Sequence, residues 1–212
     1  MTFDLQPLVL ASLLAWASGL RLYLLVFCLG LGGNLGYIDL PPALEVLEHP
    51  WVIGAAAILL AMEFLVDKVP GIDSAWDALH TFIRIPAGAL LAAGAAGDAP
   101  AALVVAAGLL GGTITAGTHL AKAGGRAIIN ASPEPFSNWS ASFMEDGAVI
   151  TGIWLAFLHP LAFLAALALF LALVIWFLPK LWRGAAAMWR RLQSRSMIRR
   201  IARTDPHEEQ PR

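Results

Sequence analysis

The 212-residue sequence predicts an all-α membrane bundle of about six spanning helices, and three observations carry that prediction. First, 58% of the residues are hydrophobic and only 14% are charged, against about 25% charged in a soluble domain. Mean hydropathy is +0.70, and a soluble fold this small could not hide so much apolar side chain. Second, a spanning helix needs roughly 20 apolar residues, so six fit the length with loops to spare. Third, Lys and Arg fall on alternate connections, as the positive-inside rule requires.

Taken in order, the first span runs about Leu8 to Leu31, followed by the Gly/Pro-marked loop GGNLGYIDLPPALEVLEHP. No positive n-region or cleavage site precedes it, so it reads as a retained helix. The second span is about Trp51 to Val66. The stretch DKVPGIDSAWDALHTFIR that follows is too polar to span. It carries apolar Ile72, Trp76, Leu79 and Ile83 at helical spacing, with Asp73, Asp77, His80 and Arg84 on the other face. That pattern predicts an amphipathic helix lying in the membrane interface. The third span is short, about Ile85 to Gly97, and Asp98-Ala99-Pro100 turns the chain. The fourth is about Ala101 to Ala121, with Gly108 and Gly112 permitting close helix approach and Gly124-Gly125 ending it. The fifth, about Phe143 to Leu158, and the sixth, about Leu161 to Leu178, are joined by His159-Pro160. Residues 1–179 are thus the membrane domain, and 180–212 a basic, amphipathic cytoplasmic tail suited to anionic lipid.

The loop at 32–50 and the turns at 97–100 and 159–160 lack Lys and Arg, whereas the alternate connections hold Lys68 and Arg84, then Lys122 and Arg126, then the tail. Six spans then leave both termini in the cytoplasm. Ala17–Leu22 (ASGLRL) and Thr115–Leu120 (TAGTHL) share small residues ahead of a basic side chain. This suggests two inverted three-helix halves, 1–98 and 99–179, as in many transporters. Cys28, the single cysteine, reads as a small buried hydrophobe.

Ionisable side chains at membrane depth are costly and point to function. Arg21 lies near the middle of the first span. Glu63 and Asp67, four apart, share a helix face, as do His119 and Lys122, and Glu145-Asp146 open the fifth span. Arg21, Glu63, Asp67, His119, Lys122, Glu145 and Asp146 are therefore the candidate ion or substrate pathway, with inter-helical packing pairs as the competing reading. The two carboxylates of the second span could share a proton or bind a cation, and His119 could relay protons. Asp73, Asp77 and His80 are a weaker candidate metal set, needing ligands from elsewhere. Sequons at Asn130 and Asn138 fall in a loop predicted cytoplasmic. No metalloprotease, phosphate-loop, dinucleotide or zinc motif is present.

The stretches SGLRLYLLVF, EFLVDKVPGIDSAWDALHTFIRIPAGALLAA and AGTHLAKAGGRAIINASPEPFSNWSASFMED, with the HP that follows, resemble an uncharacterised family of small bacterial integral membrane proteins, domain of unknown function 4126. The resemblance covers about Leu14 to Leu161 and implies a polytopic inner-membrane protein, with no activity to carry over. The expected function is a small transporter or channel with a cytoplasm-facing polar cavity, for an ion or a small polar or anionic solute. The alternatives are a non-catalytic scaffold or accessory subunit, and a lipid-headgroup enzyme built on Asp73, Asp77 and His80. No cofactor is expected. The expected partners are the lipid bilayer, the solute and a second copy of the chain, and nucleic acid is not expected.

Overall fold

The computed structural model describes residues 5–69, 72–97, 99–130, 135–180 and 183. Regular structure among them is entirely helical. The order is α1 (Gln6–Asn34), a 3-10 helix (Pro42–Glu48), α2 (Pro50–Val66), α3 (Ile72–Ala95), α4 (Ala101–Ile129), α5 (Pro135–Leu158) and α6 (Pro160–Lys180). Five of these helices are long and apolar enough to cross a membrane, or up to six if the 3-10 helix and α2, bent by 65°, count as one broken span. The chain is a multi-pass membrane protein. It divides into two units, Met1–Val174 and Ile175–Arg212. In the second, Lys180 Nζ sits 2.9 Å from the Trp176 ring centroid, and Arg183 Nε donates to the Pro179 carbonyl at 3.3 Å. Nearly all of the predicted basic tail lies outside the described residues.

The element ends follow local chemistry. Pro7 sits in the first turn of α1, where its missing N–H costs nothing. His49 caps α2 by accepting from the Trp51 N–H at 3.3 Å, with Pro50 in the first turn. Gly97, at φ +54°, makes the left-handed turn before α4. Three expected boundaries move. α4 runs on through Gly124-Gly125 to Ile129, and α5 begins at Pro135 rather than Phe143. The helix expected to lie in the interface is instead the first half of α3, one continuous helix carrying Pro86 in its interior.

α3 explains that correction. Asp73, Asp77, His80, Arg84, Gly88, Ala92 and Ala95 form its buried stripe. Ile72, Leu79, Phe82, Ile83 and Leu90 are exposed, Phe82 at 81%. The polar face points into the protein and the apolar face outward, the arrangement a lipid solvent selects and an aqueous interface does not.

α1 has the most consequential path. It is helical throughout except at Arg21, whose φ of −145° and ψ of 72° break it. Straight, its 29 residues would separate the ends by about 43 Å. The step from Asn34 to Asp39 recovers at most about 18 Å. Yet Gln6, Pro7, Asp39, Leu40 and Ala95 line one cavity of about 360 Å³. On the first half of α1, the Ala15 carbonyl accepts from Thr115 and the Leu20 carbonyl from Lys122, so it descends alongside α4. On the second half, a Cβ at Gly30 would meet the Leu47 carbonyl and Ile53, and Asn34 donates to the Glu48 carbonyl at 3.1 Å. α1 therefore turns back at Arg21, and both halves rise toward the same face as the 3-10 helix and the α3–α4 turn. The core, with Leu13, Leu14, Leu25, Leu29 and Val149 fully enclosed, is built around it.

The two similar stretches, 17–22 and 115–120, lie against each other. A Cβ at Gly19 would sit 2.6 Å from the Thr115 carbonyl and 2.7 Å from Thr118 Cβ. They run in the same direction there, so their likeness is not the mark of opposed halves.

Candidate functional site

The break in α1 delivers Arg21 to the middle of a buried ion-pair network. Arg21 has no exposed surface and faces four carboxylates. Its Nη1 pairs with Asp67 and lies 3.5 Å from Glu63; its Nε lies 2.8 Å from Asp146 and 3.4 Å from Glu145. Nη2 also donates to the Ser142 hydroxyl at 2.6 Å. α2 supplies Glu63 and positions Asp67 just past its end. Glu63 Oε1 receives Arg84, and Lys122 lies 3.3 Å away. α3 supplies Asp77, whose Oδ1 is 3.0 Å from Arg84 and 3.7 Å from Lys122. α4 supplies Lys122 and Arg126 one turn apart; both reach Glu145 Oε2, at 3.3 and 3.1 Å, and Arg126 reaches Asp67 at 3.4 Å. Lys122 also donates to the Leu20 carbonyl at 3.0 Å, one residue before the break. A cation thus sits at the carbonyl end of the first half-helix, where the helix dipole favours it.

His119 lies at the edge of this network, and its partners fix its proton. Arg84 can only donate, so the His119 Nδ1 that it meets at 3.3 Å is an acceptor. Nε2 then carries the proton and donates to the Thr81 hydroxyl at 2.8 Å, and Thr81 donates to the Asp77 carbonyl at 3.0 Å. The ring is held neutral. His80 donates from Nδ1 to the Trp76 carbonyl at 2.8 Å, stacks on the Trp76 ring at 4.0 Å and meets Tyr23 edge-on.

All seven predicted pathway residues come together. Arg84, Arg126 and Asp77 join them, although the sequence placed the two arginines in topogenic connections and Asp77 in a metal set. Asn138 and Ser142 are also buried parts of the site. Arg126 donates to the Asn138 carbonyl at 3.2 Å, and Asn138 donates to Asn130 at 2.7 Å, which leaves the sequon at Asn138 enclosed. The signal was available in the spacings: 73, 77, 80 and 84 on α3 and 119, 122 and 126 on α4 are single helical stripes. The metal set does not form. Asp73 takes the Asn130 amide at 2.9 Å, Asp77 is ion-paired and His80 is turned to its own helix. Among the described residues no group of three His, Cys, Asp or Glu side chains could hold a metal ion.

Charge saturates the middle of the network and thins at one edge. Glu63, Asp67, Asp77 and the three arginines are essentially enclosed, whereas Glu145 is 14% and Asp146 21% exposed. Beside that edge Lys68 Nζ sits 2.9 Å from the Phe64 ring centroid and 5.3 Å from that of Phe143.

The profile of one family matches residues 8–180 of this chain. The chain belongs to the domain of unknown function 4126 family. That match spans α1 through α6 and so includes every residue of the network. No curated protein and no solved structure matches the chain.

Proposed function

We propose that the protein is a small ion transporter whose working part is the broken helix α1 and the ion-pair network gathered at its tip. The observation that carries this reading is the break itself. Interrupted helices at membrane depth are tolerated where they line a site and are a recurrent device of ion-coupled transporters. Here the break coincides with Arg21, at the meeting point of α2, α3, α4 and α5. The Arg21 guanidinium is already surrounded by four carboxylates, which favours a cation or a proton over an anionic solute as cargo. Asp73, Asp77 and His80 are engaged by Asn130, Arg84 and the Trp76 carbonyl, which weighs against the lipid-headgroup enzyme.

The topology supports an orientation. Residues 1–20, 35–49, 96–100 and 159–160 contain no Lys or Arg, and the return of α1 puts Gln6 on the same face as those connections. Lys68 and Arg126 mark the opposite face, which the positive-inside rule assigns to the cytoplasm. In a bacterial plasma membrane Gln6 would then lie on the outer side, not in the cytoplasm with Lys68.

Purified protein in sealed vesicles tests the reading. Ion flux should appear with the wild type and be lost in Arg21→Lys, which keeps the charge but not the fork that reaches four partners. Absence of flux of any monovalent ion or proton in the wild type would sink it. The full enclosure of Arg21 favours a second reading, a scaffold whose charges fix helix packing. On that reading the Arg21→Met/Asp67→Leu pair would recover the stability that either substitution alone destroys.

A further inference from the structure

Among the described residues, the network is short of one positive charge. Its five carboxylates, Glu63, Asp67, Asp77, Glu145 and Asp146, face four cations, Arg21, Arg84, Lys122 and Arg126. Widening the circle does not change the deficit. Asp73 of α3 adds one carboxylate and Lys68, past the end of α2, adds one cation. The free lone pair of His119 is taken by Arg84, so that ring adds no charge.

A second, independent pattern shows where the deficit falls. Glu63, Asp67 and Asp77 each gather their cations on one oxygen. Glu63 Oε2, Asp67 Oδ1 and Asp77 Oδ2 are buried and have no hydrogen-bond donor among the described residues. The hydroxyls of Ser18 and Thr118, on the facing stretches of α1 and α4, are likewise buried without a partner among the described residues. An excess negative charge in an apolar interior is relieved by taking up a proton, and coupled acids take it up as a group. Among the three, Glu63 has three cations within reach, and Asp67 and Asp77 have two each. What separates Asp67 is its position: it lies one residue from the partly exposed Lys68, with the partly exposed Asp146 across Arg21 from it. Burial pushes the Asp67 carboxyl up, against the downward pull of Lys122, Arg21 and Arg126.

We infer that the network carries one exchangeable proton at neutral pH, held on Asp67 and reached from water through Asp146, and that this proton is the ion the protein moves. The inference rests on the transport reading and names its cargo. The step is a simple protonation. Hydronium at the Asp146 edge gives up its proton and becomes water, the Asp67 carboxylate becomes a carboxylic acid, and release reverses both changes. The break at Arg21 places this acid at the tip of a helix whose two halves open toward the other face.

Two measurements on the full-length protein test it. Infrared spectroscopy at neutral pH should show the carbonyl stretch of one protonated carboxyl, shifted in deuterium oxide and absent from Asp67→Asn. That variant imitates the protonated acid, so it should fold with unchanged melting temperature; a large loss of stability would mean that Asp67 is an ionised packing partner and would overturn the inference. In vesicles with an internal pH dye and an imposed potential, proton flux should be independent of sodium and fall at least tenfold in Asp67→Asn. Asp146→Asn should keep the carboxyl band and slow the flux. Sodium flux without proton flux, or no carboxyl band, would overturn the proton while leaving transport standing. A carboxyl band with no flux of any ion would leave the stored proton standing and overturn transport.

Discussion

Glu63 is the residue on which the network closes, because Arg21, Arg84 and Lys122 from three different helices converge on its Oε1. A buried ion pair is weak evidence of net stability, yet removing one partner of such a pair leaves an uncompensated charge that costs about 3–5 kcal/mol. Glu63→Ala removes a partner shared by three cations at once, leaving Arg84 with Asp77 and Lys122 with Asp77 and Glu145. Its melting temperature in detergent should fall sharply, whereas Asp146→Ala, at the partly exposed edge, should cost much less. Equal losses would mean that the network is not centred where the geometry puts it. The sequence made Glu63, Arg21, Asp67, Glu145 and Asp146 legible, because charges within or at the ends of apolar runs need partners inside the protein, whether for packing or for transport. Arg84 and Arg126 were harder to read. They sit near the ends of apolar runs, where cytoplasmic arginines belong anyway, and composition cannot tell an anchor from a buried partner. His119 was visible as a candidate relay, but its fixed tautomer depends on Arg84 approaching from another helix.

At the scale of the element, the bundle depends on α3, α4 and the first half of α1 touching almost backbone to backbone. A Cβ at Gly88 would collide with the Thr115 hydroxyl, and one at Gly111 with Ala92. Thr115 cannot retreat, because its hydroxyl already donates to the Ala15 carbonyl at 2.7 Å. Gly88→Val should therefore destabilise the protein by about 1–3 kcal/mol or more through overpacking. Gly117→Ala, in α4 with nothing within 4 Å of the added carbon, should be neutral or stabilise by up to about 1 kcal/mol, since Gly is the poorer helix former. Thermal unfolding of the two variants in one detergent checks both signs, and similar losses would refute the packing scheme. The small residues of α4 announced close approach in the sequence. The orientation of α3 was not legible, because an inward-facing polar stripe and an interfacial helix have the same period. Periodicity names two faces and leaves open which one meets the protein. The return of α1 was hidden for a different reason. It turns on two dihedral angles of a single arginine with no Pro or Gly at that position, and tertiary contacts on either side hold the break in place.

For the whole molecule, the path of α1 decides the topology, and topology is directly measurable. Leu8 and Asp39 flank α1 at its two ends. If α1 crossed the membrane once, they would lie on opposite sides. With α1 turned back at Arg21, they share a face, and Lys68 lies on the other. Leu8 is half exposed and Asp39 exposed, so cysteines placed there can be reached by reagents. Cys28 is only partly buried and must first be replaced. In a Cys28→Ala background, Leu8→Cys and Asp39→Cys should both react with a membrane-impermeant maleimide added to intact spheroplasts. Lys68→Cys should react only after the membrane is opened. Labelling of Leu8→Cys and Asp39→Cys from opposite sides would make α1 an ordinary span, and the reading of its tip as a transport element would then lose its foundation. Labelling of all three from one side would contradict the descent of α2. The expected pattern also has a consequence for the charge distribution. On that pattern the N-terminal helix would enter and leave by a face whose connections, 35–49 and 96–100, hold no Lys or Arg, so the single arginine it brings inward would have to find its counter-ions inside the bundle rather than in water.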